Sequence, residues 1–325
     1  VTPELSAMNP SPACLRLLQL GGRPPVGELA PLGYPQEAPL PPGDDAGGVW
    51  ADGVAWLLKT DGFLYREVAL KGMGPFEVGF RGVAATASDL LVKMGRPLGF
   101  TLGLFLPEDL EEGFVLELVR GAAEAAKRLG AFLLGGATNR GVEVALTVSG
   151  YALAEAPLPR KALPGALLYL AGDRWGRTGA AIRAHYEGRS LEGFPKIREA
   201  AFYPLPRLEL LALSGLLRGS LDSSDGLAET LWQLSELGVR VELEVLPLYP
   251  DVLAFAGSEE AALELVLYGG EEFEAVLVVP QEGAAAVEAR AKAKGLPLFR
   301  VGRVVAGEGV YLRGAPLPRK GYAHF

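Results

Sequence analysis

VWADGVAWLLKT, residues 49–60, sets two apolar runs around an Asp-Gly pair, and this pattern commits the front of the chain to an antiparallel hairpin. A purely helical fold is thereby excluded. Strand and helix patterns then alternate: a helix over 75–94, a strand over 99–106, a helix over 107–130 with acids in its first turn and Lys127 and Arg128 in its last, and strands over 131–135 and 142–153. AEAPLPRKALPG, 154–165, carries the proline and glycine punctuation of a linker. Beyond it the spacing predicts a strand at 166–172, helices near 176–187, 207–217 and 227–238, a strand at 239–245, a helix at 258–267, a strand at 273–279, a helix at 283–294 and strands at 297–304 and 309–313. The class is α/β (α+β), with a Pro/Gly-rich leader over 1–42, one domain over 43–155 and a second over 156–325.

The net charge of −8, without clustered Lys and Arg, argues against a nucleic-acid partner. One cysteine, Cys14, permits no internal disulfide, and with only His185 and His324 beside it a Cys/His zinc site cannot be assembled. No apolar run approaches the ~18 residues that span a bilayer, and the first residues lack the charged-then-apolar order of a secretory signal. The expectation is a cytoplasmic protein with no membrane partner.

PPGDDAGG, 41–48, places two adjacent aspartates on a tight turn, with no basic residue within ten positions on either side. Further aspartates sit where a fold needs punctuation: Asp61 in LLKTDG, Asp89 inside the apolar helix VAATASDLLVKMG, and Asp222 and Asp225 in LDSSDGL. Each has an ordinary explanation. An Asp beside Gly serves a turn, Asp61 ends a strand, and Ser224 or Asp225 caps the helix that follows. Asp89 resists this treatment, because burying a carboxylate among apolar neighbours costs several kcal/mol without a compensating cation, and no lysine or histidine presents itself. Hard divalent cations resolve that difficulty. Mg²⁺ prefers carboxylate oxygens and phosphates, and many carboxylates with few bases suit phosphoryl transfer, which needs positioning and charge neutralisation. Neither a Walker A loop nor kinase HRD and DFG signatures occur. LLGGATNRG, 133–141, reads as a glycine-rich turn after a strand, and YGGEEFEA, 268–275, as a turn before one.

Taken in order, GDDA (43–46), KTD (59–61), SDLLVKMG (88–95), LLGGATNRG (133–141), LDSSDGL (221–227), GGEEFEA (269–275) and KGYAHF (320–325) resemble thiamine-monophosphate kinase, of the aminoimidazole-ribonucleotide synthetase-like superfamily. The resemblance implies two α/β domains and an N-terminal sheet that pairs across a homodimer. It also implies transfer of the γ-phosphoryl group of ATP directly to thiamine monophosphate, giving thiamine diphosphate. Carried over position by position, it makes Asp45, Thr60, Asp61, Asp89, Asp222 and Asp225 ligands of Mg²⁺, Gly136, Arg160 and Ser224 contacts of ATP, and Glu271 and Tyr322 contacts of the thiamine moiety. It supplies no general acid or base, since the acceptor is already an anion. The chain departs from the family pattern in places. GGDT has become GGAT, so Ala137 stands where a carboxylate is usual; N-x-S-D is TASD; GGEDYEL is GGEEFEA; GDRWGRTG differs from the usual turn; and GFLYREVAL lacks the His-Phe pair after KTD. Two alternatives follow from these departures: an ATP-dependent enzyme of the same superfamily acting on another small substrate, or a degenerate paralogue that binds nucleotide only.

Overall fold

A computed structural model describes residue 35 and residues 37–320. Tyr322, His324, Cys14 and most of the 1–42 leader lie outside the described residues. The first sheet begins with the hairpin of β1 (Gly47–Ala51) and β2 (Val54–Leu64). Asp52 and Gly53 both take positive φ, 52° and 77°, as the tight turn between right-twisted strands demands. A single helical turn, α1 (Tyr65–Val68), leads to the long helix α2 (Pro75–Val92). Pro75 opens α2, and the Glu77 carboxylate accepts the Gly74 N–H at 2.9 Å, satisfying one donor of the first turn. Then come β3 (Arg96–Leu106), α3 (Glu112–Arg128), β4 (Phe132–Arg140) and β5 (Ala145–Ala154). The strands lie in the order β1-β2-β5-β3-β4, with α3 crossing over between the parallel pair β3 and β4 and every other pairing antiparallel.

The second sheet collects β6 (Leu167–Ala171), β7 (Gly219–Ser223), β8 (Val239–Leu243), β9 (Glu274–Val279), β10 (Leu298–Ala306), β11 (Gly309–Leu312) and β12 (Ala315–Pro316) in the order β12-β11-β8-β10-β6-β9-β7. Around it run α4 (Arg177–Tyr186), α5 (Pro195–Phe202), α6 (Leu227–Ser235), α7 (Pro250–Ala256), α8 (Glu259–Tyr268) and α9 (Ala284–Lys294). Both sheets mix strands and helices in the α/β manner. No helix among the described residues is long and apolar enough to cross a membrane.

α2 joins the two halves. Every residue from Val78 to Val92 is buried, because β5 and α3 cover one side of the helix while β7 and α5 of the second half approach the other. Phe80, Val83, Leu90 and Leu91 are fully enclosed, each contributing about 1.5–3 kcal/mol by leaving water. Polar residues on so buried a helix are held by specific partners, and these define the site described below.

Several elements differ from the sequence expectation. The strand that carries KTD does not end at Asp61 but continues to Leu64, paired with β5 throughout. LLGGATNRG forms no turn, since β4 runs through it to Arg140, with a bulge at Leu134 opposite Phe100 and Thr101. A Cβ at Gly136 would overlap the Leu102 carbonyl, so glycine here serves the close approach of β4 to β3. The helix expected at 107–130 begins only at Glu112, and that expected at 207–217 is a 3₁₀ segment, Leu208–Leu213. Asp222 and Ser223 belong to β7, and α6 begins at Leu227 with Gly226, rather than Ser224 or Asp225, at its N-cap position. α5 and α7, each opened by a proline, and β7 were not anticipated.

Candidate active site

Period two along β2 decides which side chains meet. Lys59 and Asp61 point to the same side as the buried Ala55 and Leu57, whereas Thr60 points the other way, where its hydroxyl pairs with that of Ser149 at 2.8 Å. α2 supplies Thr86, Ser88 and Asp89 on the face turned toward these residues, and Lys93 at its end. Asp222 arrives on β7, with Asp225 in the turn beyond. Asp44 and Asp45 come from the turn before β1, where Asp44 Oδ1 accepts the Asp45 N–H at 2.8 Å.

These segments converge. Asp45, Asp89 and Asp222 each offer one carboxylate oxygen within 4.8 Å of the others, and all three are buried. Asp61 lies beside this triangle, accepting a hydrogen bond from Thr86 Oγ1 at 2.9 Å, while Ser88 Oγ donates to Asp222 at 3.4 Å. The triangle opens into a cavity of about 710 Å³. Arg160, Ser224, Asp225 and Glu271 line the same cavity, and Phe63, Val68, Leu70 and Ile182 give it an apolar part.

Crowding shows in the protonation balance. Burial, reinforced by the charge of Asp222, holds the Asp89 carboxyl well above the ordinary carboxylate range, although Lys59 opposes the effect. Asp222 is pushed up to about 6, by burial first and the nearby Asp45 second. Three hard oxygen donors that repel one another are the donor set a Mg²⁺-like ion prefers, so the residues fit such an ion. A cation placed there favours the ionised form of each carboxylate.

The expectation that these acids lack basic partners is overturned. Lys93, wholly buried, reaches Asp44 Oδ1 at 2.7 Å and Asp45 Oδ2 at 2.9 Å, and donates to the Ser220 carbonyl at 2.6 Å. Arg160 bonds Asp45 through its guanidinium and Asp44 Oδ2 through its backbone N–H at 2.8 Å, so in this state it clamps the turn. Lys59 lies 2.7 Å from Asp89 and 3.3 Å from Asp61. Lys59 was in principle legible from the strand alternation that groups it with Asp61; Lys93 was not, because its acids lie far away along the chain.

Glu271 sits in a left-handed turn, φ 56°, and its carboxylate meets the buried Arg81 at 2.5 Å; Phe273 shares the left-handed conformation at φ 47°. Such strained residues persist where the surroundings over-determine them, here through the Glu271 N–H bond to the Ser224 carbonyl at 2.7 Å. Arg81 and Lys93 were missed as site neighbours by sequence reasoning. Of the residues singled out from the sequence, the structure thus gathers Asp45, Asp61, Asp89, Asp222, Asp225, Arg160, Ser224 and Glu271 about one cavity. Thr60 directs its hydroxyl to the opposite face of the sheet, and Gly136 lies on the exposed edge strand β4, so neither side joins the acid triangle.

Comparison with known proteins agrees with this architecture. Residues 43–156 match the model of the AIR synthase related protein N-terminal domain, and residues 164–314 match that of its C-terminal domain. The thiamine-monophosphate kinase of Pyrococcus horikoshii is 30% identical over 279 residues, covering 83% of this chain and 85% of that protein. Among solved structures, that of a Thermus thermophilus protein is 95% identical with a TM-score of 0.89, over 90% of this chain and 97% of that one. AaThiL complexed with AMPPCP and TMP shares the fold at 23% identity, with a TM-score of 0.82 over 96% of this chain and 98% of its own.

Proposed function

Because this chain belongs to the AIR synthase related family and, within it, to the thiamine-monophosphate kinases, which are phosphotransferases, we propose that it moves the γ-phosphoryl group of ATP directly onto the phosphate of thiamine monophosphate. The observation that carries this reading is the convergence of Asp45, Asp89 and Asp222, from three separate segments, at the wall of a cavity that is acidic at one part and apolar at another. Asp45, Asp89 and Asp222, with Asp61 and Asp225 nearby, would hold Mg²⁺, which when bound lowers the repulsion between two phosphate-bearing substrates. Arg160, whose guanidinium bonds Asp45, would exchange that carboxylate oxygen for a phosphate oxygen, since the guanidinium fork pairs with either group. Glu271, fixed by Arg81, presents an acceptor to the organic part of the acceptor substrate, and the apolar residues Phe63, Val68, Leu70 and Ile182 exclude water from it. Tyr322 belongs to the same reading as a stacking partner.

Thr60 and Gly136 enter through a second copy of the chain. The outer face of the first sheet exposes Val49, Trp56, Leu58, Phe132 and Leu134, with Trp56 stacked on Tyr151 at 6.1 Å between ring centroids. An apolar sheet face of this kind favours a homodimer, which would bring the Thr60 side of β2 and the edge strand β4 beside the partner. Ala137 is exposed on β4 and is not among the residues lining the cavity, so the missing carboxylate leaves the acid triangle intact. The site of work is the cytoplasm, where ATP and phosphorylated vitamin precursors meet. Purified protein with ATP, Mg²⁺ and thiamine monophosphate is expected to form thiamine diphosphate. A faster release of ADP with another phosphate-bearing acceptor would favour a different substrate, and ATP binding with no turnover on any acceptor would refute the catalytic reading.

A further inference from the structure

Among the cations of the site, Lys59 stands apart. Lys93 is sealed in the interior by two carboxylates and a carbonyl, and Arg160 is tied to Asp44 and Asp45. Lys59 instead projects from β2 between Asp61 and Asp89, at 3.3 and 2.7 Å, and it lines the cavity with a quarter of its side chain exposed. Its ammonium therefore stands where two carboxylates approach each other. An ammonium that bridges these oxygens leaves no room for a divalent ion to bridge them as well.

We propose that Lys59 is a resident cation of the transfer site: its ammonium takes the Asp61–Asp89 position that a divalent ion would otherwise occupy, so the chain loads one ion fewer than its carboxylates alone would hold. The inference rests on the phosphotransferase reading and adds to it a division of labour. The triangle of Asp45, Asp89 and Asp222 remains the place for a divalent ion, while Lys59, on a flexible four-carbon arm facing the cavity, supplies a positive charge that also reaches a phosphate oxygen. It acts as a point charge with three rotatable donors, whereas an ion would demand a fixed set of oxygen ligands.

The test counts ions directly. Mn²⁺ is titrated into the full chain saturated with a non-hydrolysable ATP analogue, and free Mn²⁺ is read by electron paramagnetic resonance for the wild type, Lys59→Ser and Lys59→Arg. The Ser variant is expected to bind one additional Mn²⁺ per chain, and the Arg variant the wild-type number. Equal stoichiometry in wild type and a folded Ser variant overturns the inference. If the Ser variant does not fold, anomalous scattering from Mn²⁺-soaked wild-type crystals decides: Lys59 Nζ still between Asp61 and Asp89 supports the inference, and a Mn²⁺ peak ligated by both overturns it. That last outcome leaves the phosphotransferase reading standing, whereas wild-type protein that binds no Mn²⁺ anywhere removes the metal reading and this inference together.

Discussion

In the acid turn and its surroundings five carboxylates, Asp44, Asp45, Asp61, Asp89 and Asp222, face three cations, Lys59, Lys93 and Arg160. Around the loop that follows β6, three arginines, Arg174, Arg177 and Arg207, meet three acids, Asp173, Asp251 and Glu274. The second cluster is balanced, and its centre is closed: Arg174, Arg177 and Glu274 are buried, while Asp173 and Arg207 form its partly exposed rim. Arg174 donates to the carbonyls of Leu205, Glu272 and Phe273 at 2.7, 2.7 and 2.9 Å, and Arg177 grips Asp251 at 2.8 Å while stacking over Tyr249. The first keeps surplus negative charge and opens into a cavity. Burial is common to both, so burial of charge does not by itself distinguish a site from a brace. What distinguishes them is the sign left over and whether anything from solution can reach it.

The sharpest way to break this contrast is to remove one acid from the surplus. Asp222→Asn is expected to lower turnover at least about 10³-fold while the melting temperature holds or rises, because a mutually repelling carboxylate has gone. Retained activity would deny the cluster its role. In the balanced cluster the effect should fall on stability: Arg174→Met leaves Glu274 buried and less well compensated, and chemical denaturation should record a loss of about 3–5 kcal/mol. Loss of turnover without loss of stability would show that the two clusters do not differ in kind.

Glu272 links them, its carbonyl held by Arg174 and its carboxyl by Ser223 Oγ at 3.0 Å. Burial pushes that carboxyl up to about 8, above the 4.5 of an ordinary glutamate. The folded chain therefore keeps a proton that the unfolded chain releases, and the stability present below about pH 4.5 is lost as pH rises toward about 8. Melting curves from pH 5 to pH 9 should show the wild type falling by a few degrees relative to Glu272→Gln. Parallel curves would place Glu272 outside the linkage. The smallest effect belongs to an exposed pair, Arg120 and Glu117 at 2.7 Å on α3, where Arg120→Ala should change stability by less than about 0.5 kcal/mol in a denaturant titration. A large change there would mean that pairing matters irrespective of burial.

What could be read along the chain and what could not follows the same division. The β1–β2 hairpin was legible because its turn chemistry is local, in Asp52 and Gly53, and α2 because Gly74, Pro75 and Glu77 mark its start. Asp89 drew attention because a carboxylate in an apolar helix needs a partner. Its partner Lys59 sits on a different element, and Lys93 meets acids that precede it by half a domain, so these pairings exist only after folding. The glycines of GGAT were misread as a turn because a glycine needed for close strand approach looks the same in sequence as one needed for a bend. The short helices α5 and α7 give too few turns for a periodic pattern to stand out.

β2 has a further consequence. Ten consecutive pairings with β5 hold its phase, so Asp61 looks into the cavity and Thr60 out onto the sheet. Adding or deleting one residue between the hairpin tip and Lys59 would exchange those two views, sending the acid outside and the hydroxyl within. Variation in this strand is thus confined to substitution: its length works as a ruler shared by the chemistry on one side and any neighbour on the other, and neither user can recalibrate it alone.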